Sequence, residues 1–259
     1  MEQLHLFQYG YYWCPLKLGW SPEQIAGTAP ISISHEAIYQ YVYAQVYRSG
    51  HGLVKSDKED LRPYLARRKK RRTPKGVRRS HRVLKGPLPS IEDRPAEVNL
   101  RTEIGHWEDD LVVSRESSDN LKTINERVSG LVFISRVSNG TAEVGDNAVL
   151  NRMKDVPIEY RKTLTRDRGS ENVKYHSLEK ELGIQVFFAH AYSSWERGSN
   201  ENLNGLIRRY LPKKTDFRKV SDEQIQRIEY LLNSRPRKRL GWKTPYEVFF
   251  DMTGVALQG

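Results

Sequence analysis

The sequence predicts a mixed α/β sheet with helices on both faces, preceded by a small helical region and a basic linker. Three observations predict it. After residue 99, three strand-like segments follow one another and then helix-like and strand-like segments alternate, which is the order of a mixed sheet. Before residue 50, two serine-led starts open short apolar-periodic stretches, the pattern of a small helical region. Between them lies a stretch that is first basic and then punctuated by Pro74, Pro87, Pro89 and Pro95, a linker composition rather than a core one. The chain therefore divides into residues 1–50, 51–98 and 99–259.

In the first region, Ser21 followed by Pro22 is a good N-cap and first-turn pair, and Glu23 to Ala26 continue a short helix. Gly27 to Ile33 reads as a turn. Ser34 caps a second helix through Val42, with Ala37, Ile38, Tyr41 and Val42 as its apolar stripe. Two short helices across a turn are helix-turn-helix-like, a motif whose second helix enters a DNA major groove. An ordinary helical hairpin has the same pattern.

In the third region, Trp107 to Val113 reads as a strand, Ile124 marks another, and Leu131 to Val137, rich in β-branched residues, is a third. Thr141 to Lys154 reads as a helix with Ala142, Gly145, Val149 and Met153 roughly on one face. Thr163 to Arg166 is a short strand ending at an aspartate. Ser177 to Leu182 is helical and Gly183 stops it. Val186 to Phe188 is a fifth strand, and Ser199 to Leu211 a helix. Ser221 with Gln224 is a capping box opening a last helix, with Ile225, Ile228, Leu231 and Leu232 buried.

Composition excludes several classes. Apolar residues make up 37% of 259 positions, so the chain is not wholly disordered. No run of about 18 apolar residues exists, which excludes a helical membrane span, and no membrane partner is expected, because the basic run lacks the interleaved apolar residues of an interfacial face. The N-terminal residues mix Glu2, His5 and Gln8 with aromatics, unlike a secretory signal. Cys14 is the one cysteine, so neither an internal disulfide nor a Cys-rich metal site forms, and a reducing cytoplasm is expected.

The net charge of +11 is unevenly placed. Leu61 to Ile91 holds twelve Lys or Arg and no acid, including Arg67, Arg68, Lys69, Lys70, Arg71 and Arg72, and the rest of the chain is close to neutral. Such a run neutralises phosphates and gives salt-dependent affinity for nucleic acid. A solvated tail fits the same composition.

Three acidic positions bear on chemistry. Glu108, Asp109 and Asp110 lie inside an apparent strand, where charges are costly unless they line a site. Side chains alternate, so Glu108 and Asp110 share one face and Asp109 joins Trp107 and Leu111 on the other. Pattern alone leaves the choice of face open. Asp167 ends the Thr163 strand, where ligand groups of α/β sheets gather, though turn aspartates are common there too. Glu201 opens the Ser199 helix, where a glutamate also complements the helix dipole. Taken together, a carboxylate trio on separate elements is a donor set for two Mg²⁺ (or Mn²⁺) ions. Arg197 and Arg208 lie near Glu201 and are candidates to clamp DNA phosphates, or simply solvated surface. Asn200, Asn202 and Asn204 are candidates for bonds to phosphates or to the metal shell. There is no GxxxxGK[ST] pattern, which argues against a nucleotide-driven motor.

At these residues the sequence resembles a known family. The segments Gly105-His106-Trp107-Glu108-Asp109-Asp110-Leu111, Leu164-Thr165-Arg166-Asp167-Arg168-Gly169 and Trp195-Glu196-Arg197-Gly198-Ser199-Asn200-Glu201-Asn202-Leu203-Asn204-Gly205 are similar to insertion-sequence transposases of the IS-thirty group. So are Asn233 to Pro245 and Gly19 to Tyr39. The resemblance implies an RNase H-like, retroviral-integrase-like core with a mixed five-stranded sheet flanked by helices. It implies catalytic and metal-binding roles for Asp110, Asp167 and Glu201, with 33 residues between the last two. It further implies strand cleavage and transfer at transposon ends, DNA as partner, a homo-oligomer, and a bacterial, nucleoid-associated location. The runner-up reading is a shortened, non-catalytic DNA-binding derivative that regulates transposition. Two departures stand out. The family usually has Gly where Asp109 stands, and this extra carboxylate is expected to point away from the site. Family members also carry a further helix-turn-helix before the Gly19-Trp20 motif, so a shortened N-terminus is expected.

Overall fold

The structure is a computed structural model that describes residues 13–30, 32–45, 54–55, 58–65, 88–138, 141–169, 175–190 and 198–257. The chain forms two compact units. One comprises Met1–Val77 with Arg235–Lys243, the other Arg78–Ser234 with Thr244–Gly259. The segment Arg235–Lys243, which the sequence reading assigns to the 99–259 region, thus clusters with the N-terminal helices.

The smaller unit contains α1 (Trp13–Lys17), α2 (Pro22–Thr28) and α3 (His35–Ala44). Ser21 and Gln24 form a reciprocal capping box at α2, and the Ser34 side chain accepts from the Ala37 N–H at α3. Leu16, Ile25, Ile38, Val42, Leu61 and Leu65 form its core. Gly27 belongs to α2 rather than to the expected turn. Its value is close approach: a Cβ there would stand 2.3 Å from the Trp242 indole. A helical glycine is tolerated here because the returning segment packs an aromatic ring directly on the helix backbone.

The larger unit is built on a five-stranded sheet of β1 (His106–Val113), β2 (Asn120–Glu126), β3 (Val132–Val137), β4 (Thr163–Arg166) and β5 (Gln185–Phe188), in the order β3-β2-β1-β4-β5. The first three strands pair antiparallel; β4 and β5 join in parallel. The short α4 (Glu97–Leu100) leads into it, and α5 (Ala142–Met153), α6 (Tyr175–Leu182), α7 (Gly198–Tyr210), α8 (Asp222–Asn233) and α9 (Pro245–Thr253) complete the helices among the described residues. One face of the sheet packs Trp107, Ile124, Phe133, Leu164 and Phe188 against α5, α6 and Phe249 of α9. The opposite face packs Val112, Leu121 and Ile134 against Leu203 and Ile207 of α7 and Ile225, Ile228 and Leu232 of α8. Both faces are covered, as the alternation of elements predicts.

Two differences from the sequence reading have physical causes. Strand β2 is longer than the single Ile124 suggests, because its buried residues include Asn120, Lys122, Thr123, Asn125 and Glu126, which hide the apolar alternation. Helix α9 follows the expected last helix. Thr244, Pro245 and Glu247 supply its capping box and first turn.

At the β3 edge, α8 takes over the role of a missing strand. Asn233 accepts from the Val132 N–H at 2.9 Å and donates to the Val132 carbonyl at 2.8 Å, and Glu229 accepts from the Ile134 N–H at 2.6 Å. One turn apart on one helix face, these side chains satisfy edge groups that would otherwise be open to pairing.

Candidate active site

Strand alternation separates the acids of β1. Asp109 turns to the same face as Trp107, while Glu108 and Asp110 turn toward the α7 side. Glu108 is buried and paired with Arg127. This ion pair occupies Glu108 structurally and leaves Asp110 as the half-buried acid of that face.

Asp109 points away from Asp110, as expected, into a buried charge network. Its Oδ2 lies 2.6 Å from Lys122 Nζ and 2.9 Å from Arg166 Nη2, and the same Arg166 nitrogen lies 2.7 Å from Asp146. Burial pushes the Asp109 carboxyl up, but the charges of Arg166 and Lys122 outweigh it and hold it below its ordinary value. For Asp146, burial dominates and raises the pKa despite Arg166. Sequence reasoning missed Lys122, Asp146 and Arg166, since each alone looks like a solvated charge.

The sheet register bears directly on Asp110 and Asp167. His106, Trp107 and Glu108 stand beside Thr163, Leu164 and Thr165 in the parallel β1–β4 pair. Two further steps along each chain lead to Asp110 and Asp167. The paired register ends at Glu108 and Thr165, and Asp167 follows the last residue of β4. Asp167 begins a turn in which the Gly169 N–H donates to its Oδ1 at 3.1 Å. The α7 side is tied on by two asparagines. Asn200 donates to the Asp109 carbonyl at 3.2 Å, and Asn204 Nδ2 donates to Asp110 Oδ2 at 2.6 Å. Glu201 is exposed on α7, one turn before Asn204.

Among the described residues, no group of three or more His, Cys, Asp or Glu stands close enough together to hold a metal ion. Asp110, Asp167 and Glu201 therefore do not form such a group in this structure. The donors themselves are hard oxygens of the kind magnesium selects. Asn204 Oδ1, beside Asp110, is buried without a hydrogen-bond partner, a further oxygen that an ion or its water would satisfy.

Of the expected DNA contacts, Arg67, Arg68, Lys69, Lys70, Arg71, Arg72 and Arg197 lie outside the described residues. Arg208 is described. It donates to the carbonyl of Val113 at 2.6 Å and stacks over the Phe217 ring, so part of its side chain is structural.

The sheet order and the helices on both faces give the larger unit an RNase H-like arrangement, a mixed five-stranded sheet flanked by helices. No protein-family model matches the chain. Among known proteins, it is 37% identical to the transposase for insertion sequence element IS4351 of Bacteroides fragilis, over 90% of this chain and 70% of that one. It is 36% identical to transposase InsI for insertion sequence element IS30A of Escherichia coli, over 93% of this chain and 63% of that one. The transposase for insertion sequence element IS1086 of Cupriavidus metallidurans is 34% identical, over 88% and 68%. The chain belongs to the insertion-sequence transposases of the IS-thirty group, and it spans 63 to 70% of the length of these relatives. Among solved structures, the catalytic core domain of BIV integrase aligns with 57% of this chain and 95% of its own, at 19% identity and a TM-score of 0.46. No described helix is long and apolar enough to cross a membrane.

Proposed function

We propose that this chain cleaves and transfers DNA strands at insertion-sequence ends, with Asp110, Asp167 and Glu201 as catalytic acids. The observation that supports the reading is the parallel β1–β4 pairing, whose last pair, Glu108 and Thr165, precedes Asp110 and Asp167 by two residues each. Asp110 and Asp167 would hold divalent magnesium or manganese between them, and Glu201 would complete the set from α7. Two such ions supply activation of the attacking oxygen and stabilisation of the leaving one in an in-line phosphoryl displacement.

The chain's own residues do the positioning. Asn204 fixes one oxygen of Asp110. Asn200, through the Asp109 carbonyl, holds the start of α7 on β1. The basic run that includes Arg67 to Arg72, together with Arg197 and Arg208, would hold the DNA backbone. Because two element ends must meet, two or more copies of the chain would act together.

A strand-nicking assay on a labelled duplex carrying an element end tests this. Magnesium-dependent nicking by the unaltered chain is expected, with Glu201→Gln and Asp110→Asn abolishing nicking while keeping DNA binding. Equal nicking by the variants would overturn the assignment. Binding without nicking by the unaltered chain would favour a non-catalytic DNA-binding role.

A further inference from the structure

At the outer end of β1, beyond Asp110, lies a cleft of about 450 Å³ whose lining includes Val113, Arg115, Asn204, Gly205, Arg208 and Lys213. Among the described residues, three cations and no acid line it. Among the described residues, none of the three forms an ion pair. Arg208 spends its guanidinium on neutral carbonyls, those of Val113, Leu211 and Pro212. Burial, and then the charge of Arg115, holds the Arg208 pKa below its ordinary value, so the two cations repel each other across this site. Like charges gathered on a concave, acid-free surface are relieved by an anion.

Gly205 forms the helix wall of the cleft. It sits in the interior of α7, where glycine is the poorest helix former after proline. Among the described residues, a Cβ at Gly205 would meet nothing within 4 Å. Contrast Gly27, whose missing Cβ makes room for Trp242. A bare helix backbone beside three cations is suited to the close approach of a ligand chain.

We infer that this cleft is a phosphodiester subsite, in which one backbone phosphate of a DNA strand is held by Arg115, Arg208 and Lys213 while the sugar-phosphate chain runs over Gly205. The inference rests on the proposed strand-transfer reading and deepens it. Asn204 lines the cleft and also bonds Asp110, so the held phosphate is one side chain away from the candidate catalytic acids. The subsite would fix where the strand enters the site.

The test is DNA binding by the full chain, without divalent metal, across a salt series, so that it is read apart from nicking. Arg115→Ala with Lys213→Ala is expected to lower the slope of log affinity against log salt by about 1, the loss of one phosphate contact. Lys154→Ala, an exposed cation at the end of α5 on the opposite side of the sheet, is expected to leave the slope unchanged. Gly205→Glu is expected to weaken binding while melting at or above the temperature of the unaltered chain. An unchanged slope in the double variant, an equal fall with Lys154→Ala, or full affinity with Gly205→Glu would each overturn the subsite. Absence of nicking by the unaltered chain would instead overturn the strand-transfer reading.

Discussion

Arg166 reaches across from β4 to β1 and grips Asp109, its Nε donating to Asp109 Oδ2 at 3.0 Å and its Nη2 lying 2.9 Å from the same oxygen. Both side chains are completely buried. Each is the chain neighbour of a candidate catalytic acid, Asp109 of Asp110 and Arg166 of Asp167. The pair therefore fastens β1 to β4 one residue before each of the two acids. The extra carboxylate of this sequence is thus matched by a buried base.

Removing that base should be expensive. Arg166→Met would take from Asp109 and from Asp146 the buried guanidinium that both now share, at a cost of about 3–5 kcal/mol. The midpoint of urea unfolding checks this. Adding Asp109→Asn should recover part of the loss, so that the double variant loses less than the sum of the singles. A loss below about 1 kcal/mol for Arg166→Met would mean that the charges are solvated.

That network shows what a linear sequence hides. Strands β1, β3, β4 and β5 are legible because their apolar residues keep strand spacing, and α8 because Ser221 and Gln224 announce it. The greater part of β2 is not, since Lys122 and Glu126 look solvated until their partners across the fold are known. For the candidate site, alternation separates Asp109 from Asp110 but assigns neither a role. Only the parallel register relates Asp110 to Asp167, and register is a pairing between distant segments. Trp242 likewise reads as part of a motif near the C-terminus, and its place against Gly27 follows from a chain reversal that no local pattern encodes.

Glu126 makes stability pH-dependent. Its Oε2 accepts from the N–H groups of Val128 and Ser129 and from the Ser129 hydroxyl, while Oε1 is buried without a partner. Burial raises its pKa above the model-compound value of 4.5 despite those hydrogen bonds. A carboxyl whose folded pKa is raised gives its full stabilisation below the unfolded value and loses it as pH rises through the folded value. Glu126→Gln keeps an acceptor for the three donors and does not ionise. The variant should therefore gain on the unaltered chain progressively as pH rises above 4.5 in urea melts. A constant difference as the pH rises would contradict the assignment.

Asn204 offers a test of positioning that spares the acids. Asn204→Ala removes the donor on Asp110 and the unpartnered Oδ1 beside it. Its side chain is only partly buried, so folding should survive. The expected result is a rise of about 10- to 100-fold in the magnesium concentration needed for half-maximal nicking, the usual cost of losing an outer-shell partner of a ligand. A merely structural role would lower thermal stability and leave the metal requirement where it was.

The basic run from Leu61 to Ile91 supplies the last prediction. Its ten Lys and Arg between positions 67 and 82 carry most of the chain's excess positive charge. Each phosphate they neutralise steepens the salt dependence of binding by about 0.9 in log-log slope. Deleting residues 67–82 should therefore flatten the slope by several units and weaken binding to unrelated duplexes as much as to an element end, because phosphate contacts carry no sequence information. The contribution of the Arg115, Arg208 and Lys213 cleft, worth about one unit, should persist in the deleted chain. If the deletion leaves the slope steep, the main DNA contact lies elsewhere, and the acid-free run is a solvated linker.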